Sequence, residues 1–153
     1  MRKLPMLLAL GALAAGAGAA LAATPVATVA TSTSRLGTFL VGTNGHALYV
    51  YSADKKNKSN CAGQCAKTWP ALLTSGKPKA KGSAKASELG TIKSGSSEQL
   101  TYDGHPLYYN VADAVAGDTS GQGTKLGGGV WTLIGPNGSP IDSSGKTKTK
   151  SGY

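Results

Sequence analysis

The chain of 153 residues has few of the side chains that most catalytic and metal sites require. It has 2 histidines, 2 cysteines and 7 acidic residues, against 16 lysines and arginines. It contains no Ser-His-Asp order, no nucleophile elbow, no metalloprotease motif and no phosphate-binding loop with its Lys and Ser or Thr. The sequence therefore predicts a protein that is not an enzyme.

Aromatic residues are also few, with one phenylalanine, two tryptophans and six tyrosines. Long amphipathic helical patterns are missing, whereas glycine occurs 22 times. Short apolar runs separated by Gly-rich turns are typical of strands rather than helices. We therefore predict an all-β fold, with helix confined to the N-terminal segment and a turn near residues 61–69.

The N-terminal segment, residues 1–22, is typical of a secretory signal peptide. Arg2 and Lys3 precede a stretch of Leu, Ala and Gly, and the Ala-Leu-Ala at 20–22 offers a small-x-small cleavage site. A membrane anchor is the alternative, but the stretch is short and weakly hydrophobic. Since no cysteine follows it, we expect an exported protein, periplasmic or extracellular, that is not lipid-anchored and has no transmembrane segment in its mature chain.

The mature chain is basic. Without Arg2 and Lys3, 14 basic residues stand against 7 acidic ones, a net charge of +7 (14 − 7). Half of these 14 basic residues occur in a linker at 75–87 and in a tail at 143–153. Both segments are poor in apolar residues, so we predict that the linker is solvated and that the tail is disordered. The linker lysines are Lys77, Lys79, Lys81 and Lys85.

The linker lysines suggest a contact with an anionic surface. As a hypothesis, they attract an anionic envelope polymer or a lipid surface, and no specific nucleic acid is predicted as a partner. The alternative is that these lysines only keep a Gly-rich protein soluble.

Ten residues occur twice in related form, as GHALYVYSAD at 45–54 and GHPLYYNVAD at 104–113, with six identical positions. The likeness extends upstream to SRLGT and SELGT, and downstream to Trp69 and Trp131. Two copies of one β unit follow from this self-similarity.

The repeats define the predicted architecture. Repeat 1 covers about 34–76 and repeat 2 about 87–138, within a single β domain at 23–142. We predict a small antiparallel sandwich or open barrel, built from the two related units with a pseudo-twofold repeat.

Turn residues and strand alternation support this architecture. Asn44-Gly45 and Asp103-Gly104 suit two-residue hairpins, which we place at 37–52 and 98–111. In the strand after each turn, alternate side chains face opposite sides of the sheet. The predicted core comprises Leu36, Phe39, Leu48, Val50, Trp69, Leu72, Leu89, Leu107, Tyr109, Trp131 and Leu133.

Each copy places a tyrosine five residues before an aspartate: Tyr49 before Asp54, and Tyr108 before Asp113. In a regular strand this odd separation puts the two side chains on opposite faces. We therefore expect each aspartate to accept backbone N–H bonds where the chain turns, which is a structural role.

Two further pairs are candidates for chemistry. Cys61 and Cys65 are predicted to form a local disulfide, because export compartments oxidise thiols; if reduced, they could hold Cu(I). His46 and His105 occupy matching places after the turns and could bind copper or another divalent metal if the repeat axis brings them together. Metal sites usually recruit three or four ligands, so the alternative is that each histidine only opens a strand.

The combination of motifs resembles the bacterial "secreted repeat of unknown function" family. Its members carry paired Tyr-x4-Asp motifs and segments similar to CAGQCAKTWP, GHPLYY and GDTSGQG of this chain. The resemblance covers about residues 36–138. Many members look like lipoproteins. This chain differs from them because it lacks a lipid-accepting cysteine. The family carries no agreed activity.

We therefore expect an exported, non-catalytic module, without a cofactor, that binds or organises a component of the cell envelope. The alternative is a small metal-binding or electron-transfer protein that uses His46 and His105, or Cys61 and Cys65. The sequence does not determine the ligand or the oligomeric state.

Overall fold

The structure is a computed structural model that describes Gly18 and residues 22–147. The predicted signal peptide, apart from Gly18 and Ala22, and residues 148–153 of the predicted tail lie outside the described residues. Strands dominate and no sheet closes into a barrel, which confirms the predicted all-β class. The strands are β1 (Thr28–Ser34), β2 (Gly37–Val41), β3 (Tyr49–Tyr51), β4 (Leu73–Thr74), β5 (Lys79–Ala80), β6 (Leu89–Ser94), β7 (Ser97–Tyr102), β8 (His105–Pro106), β9 (Lys125–Leu126) and β10 (Gly129–Leu133).

Helix is limited to short pieces within the described residues. Helix α1 (Gln64–Thr68) lies where the sequence predicted a turn, and one 3₁₀ turn spans Ala86–Glu88. The strands form three sheets, with the orders β2-β1-β5, β3-β10-β9 and β4-β7-β6, and β8 pairs with β7. The pairings are antiparallel except that β5 runs parallel to β1.

The two predicted hairpin turns differ from each other. Asp103 and Gly104 have φ values of 50° and 79°, as a two-residue turn requires. In the first copy only Gly45 has a positive φ, of 79°. Gly42 N–H donates to the His46 carbonyl at 2.9 Å, so this turn has three residues and a bulge. The prediction of a two-residue turn at 44–45 is wrong.

A central ladder joins the two repeats. Tyr49 and Tyr108 lie opposite each other and exchange backbone hydrogen bonds of 2.8 and 3.0 Å. On one side β10 of repeat 2 pairs with β3 of repeat 1, with Trp131 opposite Tyr51. On the other side Ala71 of repeat 1 lies opposite Tyr108 of repeat 2. Each repeat therefore places its tryptophan-bearing segment against the tyrosine strand of the other repeat, about a pseudo-twofold axis between the two tyrosines.

Side chains from this ladder alternate into two apolar cores. The first core, on one side, holds Leu48, Val50 and Leu107. The second core, on the other side, holds most of the aromatic residues, which are Phe39, Tyr49, Tyr51, Trp69, Tyr108 and Trp131. Of the predicted core residues, Leu36, Leu89 and Tyr109 are only partly buried and the rest are buried. Twelve further hydrophobic residues are buried outside the predicted core, which are Ala27, Val29, Leu40, Val41, Ala47, Tyr49, Tyr51, Leu100, Tyr102, Tyr108, Ile134 and Ile141.

The predicted linker and tail are partly structured. In the linker, the Lys79 amide donates to the Ala27 carbonyl, just before β1, at 3.0 Å. The Lys81 amide donates to the Val29 carbonyl, in β1, at 2.9 Å. At the start of the tail, Asp142 N–H donates to the Lys146 carbonyl at 2.8 Å and closes a turn. Residues 143–147 are therefore part of the folded domain.

Candidate functional site

The paired tyrosines and aspartates meet at the centre of the molecule, and they pair across the repeats. Tyr49 Oη donates to Asp113 Oδ2 at 2.8 Å, and Tyr108 Oη donates to Asp54 Oδ2 at 2.7 Å. Each repeat thus supplies the tyrosine of one pair and the aspartate of the other. We call these four residues the crossed pairs.

The second oxygen of each carboxylate accepts a backbone amide. Asn60 N–H donates to Asp54 Oδ1 at 2.6 Å, and Ser120 N–H donates to Asp113 Oδ1 at 2.8 Å. The predicted bonds from backbone amides are therefore present. A turn between Tyr51 and Asp54, closed at 3.0 Å, ends the strand and carries the carboxylate away from its own tyrosine.

The two hydroxyls differ in their further contacts. Ser59 Oγ lies 2.6 Å from Tyr108 Oη, whereas Tyr49 Oη accepts the Gly121 amide at 3.2 Å. Sequence reasoning missed these partners because neither Ser59 nor Gly121 belongs to the repeated ten residues. The spacing of six or seven residues from each aspartate to its amide donor was the signal that could have indicated a loop folded back on the carboxylate.

Burial sets the protonation chemistry of the crossed pairs. Loss of hydration raises the pKa of Tyr49 and Tyr108 well above the ordinary phenol value, and the hydrogen bonds to Asp113 and Asp54 act in the same direction. Burial also raises the pKa of Asp54, against the lowering effect of its hydrogen bonds. The tyrosines are therefore neutral donors at neutral pH rather than phenolate nucleophiles.

All four side chains of the crossed pairs are at most 5% exposed. A substrate would reach them only after local opening of the domain. The arrangement is thus suited to holding the repeats together and to short proton movements between the paired oxygens.

An aromatic stack lies beside the crossed pairs in the second core. Trp69 and Trp131 stack with centroids 4.0 Å apart and an interplanar angle of 1°, and Tyr51 stacks on Trp131 at 4.4 Å and 9°. Tyr49 meets Trp69 edge-on at 5.3 Å, and Tyr108 meets Trp131 edge-on at 5.0 Å. We call Tyr51, Trp131 and Trp69 the aromatic stack.

The indole N–H groups of this stack have no acceptor. Trp69 Nε1 and Trp131 Nε1 are buried without a hydrogen-bond partner. Buried polar atoms are nearly always paired in folded proteins, so two unpaired indoles at matching places of the repeats are unusual.

The predicted disulfide is present and supports one crossed pair. Cys61 and Cys65 are bonded, with Cα atoms 5.2 Å apart. Cys61 N–H donates to Ser59 Oγ at 3.2 Å, and Trp69 N–H donates to the Cys65 carbonyl at 2.8 Å. The bridge therefore links the loop around Asp54 to the start of the tryptophan segment.

The histidines are placed apart. Tyr49 and Tyr108 lie opposite each other in antiparallel strands, and each histidine precedes its tyrosine by three positions. The two histidines therefore lie on opposite sides of this pair. At about 3.3 Å per residue, six positions separate His46 from His105 by roughly 20 Å along the ladder. Among the described residues, no group of three or more His, Cys, Asp or Glu side chains could hold a metal ion. The metal site at these histidines stays a prediction.

Of the predicted anionic-surface residues, Lys79 lies in β5, Lys77 and Lys81 lie on either side of it, and Lys85 precedes the 3₁₀ turn. Lys77, Lys79, Lys81 and Lys85 are all exposed, whereas Pro78 and Ala80 between them are partly buried. Backbone bonds to the segment containing β1 run from Ser75, whose amide donates to the Pro25 carbonyl at 3.3 Å, to Lys81. Lys77, Lys79 and Lys81 therefore occupy alternating, exposed positions of a segment at the edge of its sheet.

A shallow apolar groove of about 480 Å³ lies beside the N-terminal end of β1. Tyr109 lines it, and burial raises the pKa of this tyrosine to about 12. The other lining residues are Pro25, Ala27, Thr43, Asn44, Leu72 and Leu73.

The fold and the site together define a two-repeat β domain whose copies are joined by crossed tyrosine–aspartate pairs. Residues 30–73 and 91–134 each match the family described as a secreted repeat of unknown function, and the chain belongs to that family. The matched segments agree with the two predicted repeats and confirm the resemblance. No curated protein and no solved structure matches the chain. In the described part of the chain, no helix has the length and apolar character needed to cross a membrane.

Proposed function

We propose that this protein is an exported, non-catalytic module that binds a linear anionic polymer of the cell envelope along β5. The observation that carries the proposal is the row formed by Lys77, Lys79 and Lys81, exposed at alternating positions of an edge segment. Alternate residues of a strand lie about 7 Å apart on one face. A row of charges suits an extended polymer better than a plane of lipid head groups.

The rest of the molecule supports a binding role rather than catalysis. The carboxylates of the crossed pairs are buried and held by hydrogen bonds, so they are unavailable to a substrate. Lys79 lies in β5 and Lys81 directly after it, and the amides of both are bonded to the segment containing β1, which lowers the entropy cost of presenting these charges together.

The experiment measures retention of the mature chain on immobilised polygalacturonate, a linear polymer of carboxylates, at low and high salt. Binding should be lost as the Debye length falls from about 10 Å at 0.1 M to about 3 Å at 1 M. Replacing Lys77, Lys79 and Lys81 with Gln should abolish most of the retention at low salt.

The matched control replaces Lys55, Lys56 and Lys58 with Gln, since these exposed lysines carry the same charge outside the row. Equal loss in both variants would show that net charge alone attracts the polymer and would overturn the proposal. Two other outcomes would also overturn it. One is tighter binding to anionic vesicles than to the polymer. The other is full polymer binding by the row variant together with self-association of that variant. This result would show that the edge lysines act to prevent strand pairing between chains.

A further inference from the structure

The aromatic stack and the crossed pairs form one connected group of oxidisable rings and proton acceptors. Tryptophan and tyrosine are the side chains that most readily lose a single electron, and stacked rings at 4.0 and 4.4 Å are close enough to exchange one rapidly. Each crossed-pair tyrosine touches a stacked tryptophan edge-on.

The stack has an outer and an inner end. Tyr51 is 6% exposed, whereas Trp131 and Trp69 are 0% and 1% exposed. Tyr51 Oη lies 3.0 Å from the carbonyl oxygen of Leu126, at the end of β9, and 2.7 Å from that of Gly127, in the exposed loop that follows. An electron acceptor at this loop would meet Tyr51 as the nearest ring of the stack.

The proton acceptors are distributed unevenly, and this determines where an electron vacancy would rest. Loss of an electron makes both an indole N–H and a phenol O–H strongly acidic. Trp69 Nε1 and Trp131 Nε1 have no acceptor, so an oxidised indole would keep its proton and its positive charge. Tyr108 and Tyr49 have a carboxylate oxygen at 2.7 and 2.8 Å that can take the proton.

We propose that the aromatic stack conducts an electron vacancy from a one-electron oxidant at the surface to the crossed-pair tyrosines, which hold it as neutral radicals. In the storage step the oxidised Trp131 takes one electron from Tyr108. The phenolic O–H bond of Tyr108 breaks, and its proton forms an O–H bond at Asp54 Oδ2. The products are neutral Trp131, a neutral Tyr108 radical and a protonated Asp54. One electron from a reductant, with return of the proton, restores the starting state.

The experiment oxidises the mature chain with photogenerated tris(bipyridine)ruthenium(III) and follows the radicals by transient absorption and freeze-quench electron paramagnetic resonance. We expect a tryptophan radical cation that decays into a neutral tyrosyl radical. Replacing Tyr49 and Tyr108 with Phe should remove most of the tyrosyl signal and lengthen the life of the tryptophan radical. The matched control, Tyr109→Phe, removes a tyrosine outside the group and should retain the signal.

Replacing Asp54 and Asp113 with Asn removes the proton acceptors. The amide oxygen of Asn can still accept a hydrogen bond from the tyrosine hydroxyl. We expect the tyrosyl signal to fall as in the double Phe variant, with the near-UV circular dichroism of a folded domain. If this variant does not fold, the wild-type chain in D₂O provides the test, since proton transfer should slow formation of the tyrosyl radical. An undiminished tyrosyl signal in the folded Asn or Phe variant, or no solvent isotope effect, would overturn the proposal.

Discussion

The two crossed pairs have nearly the same geometry, but different loops hold them. The Tyr108–Asp54 pair contacts the Ser59 hydroxyl, two residues before the loop that the Cys61–Cys65 bond closes. The Tyr49–Asp113 pair contacts a Gly-rich loop without a covalent bond, which presents the Gly121 amide. One copy of the repeat therefore uses a disulfide, and the other uses close approach of the backbone, to hold the same hydrogen bond.

Glycine is required at position 121 for a steric reason. A Cβ atom there would lie 2.6 Å from Trp69 Cη2 and 2.6 Å from Asn110 Nδ2. The loop of repeat 2 thus packs directly on the tryptophan of repeat 1, and its stability depends on packing across the repeats.

The largest expected effect comes from Trp131, the central ring of the aromatic stack. Trp131 contacts Tyr51, Trp69 and Tyr108, whereas Trp69 contacts two rings of this group. Trp131→Ala should lower the free energy of unfolding by about 3–5 kcal/mol, as large aromatic truncations do, and Trp69→Ala should cost less. Urea unfolding measures both. A larger cost for Trp69→Ala would show that the stack is not centred on Trp131.

A substitution at Gly121 should break the glycine-held pair selectively. Gly121→Ala forces two contacts apart, so we expect a cost of about 3 kcal/mol, near the upper end of the usual range for overpacking. Hydrogen exchange of the Ser120 amide, which reports on Asp113, should speed up more than exchange of the Asn60 amide, which reports on Asp54. Gly76→Ala is the matched control, because Gly76 has no positive φ and a Cβ there makes only an ordinary contact, 3.6 Å from Val26 Cγ2.

Removing the disulfide should have the opposite selectivity. Replacing Cys61 and Cys65 with Ser should cost about 2 kcal/mol, from the lost restriction of the unfolded chain. The Asn60 amide should then exchange faster, and the Ser120 amide should change little. Equal acceleration at both amides would contradict the claim that each pair has its own support.

The smallest effect is a pH dependence that comes from Asp54. Burial raises the pKa of Asp54, so the folded state holds this proton more tightly than the unfolded state. Its contribution to stability therefore falls as the pH rises from about 3.9, the ordinary value, through the raised pKa of the folded state. The stability of the wild type relative to Asp54→Asn should increase as the pH is lowered through this interval. Urea unfolding at several pH values checks the sign, and a difference that shrinks at low pH would contradict it.

Local sequence patterns were sufficient to predict much of this structure. Alternation in the strand after each turn placed Leu48 and Tyr49 on opposite faces, and two cysteines in an exported chain predicted the disulfide. The Asp103-Gly104 turn followed from its residues, but the first turn did not. The amide of His46 bonds to Asn44 Oδ1 at 3.1 Å, and the turn takes three residues.

The crossing of the pairs could not be predicted from these patterns. Strand periodicity says which face a side chain occupies, but not which distant strand lies beside it. That tyrosine and aspartate would avoid each other within a repeat was predictable, since an odd spacing separates them. That each would find its partner in the other repeat depends on the register of Tyr49 against Tyr108, which only the folded chain determines.

The crossing itself is tested most directly by comparing two double-mutant cycles measured by urea unfolding. One combines Tyr108→Phe with Asp54→Ala, a pair from different repeats, and the other combines Tyr49→Phe with Asp54→Ala, from the same repeat. Removing a buried hydrogen bond to a carboxylate should give a coupling energy of about 1–3 kcal/mol in the first cycle. In the second cycle it should lie within about 0.5 kcal/mol of zero, as for groups without a shared contact. A larger coupling within the repeat than between the repeats would contradict the crossed arrangement.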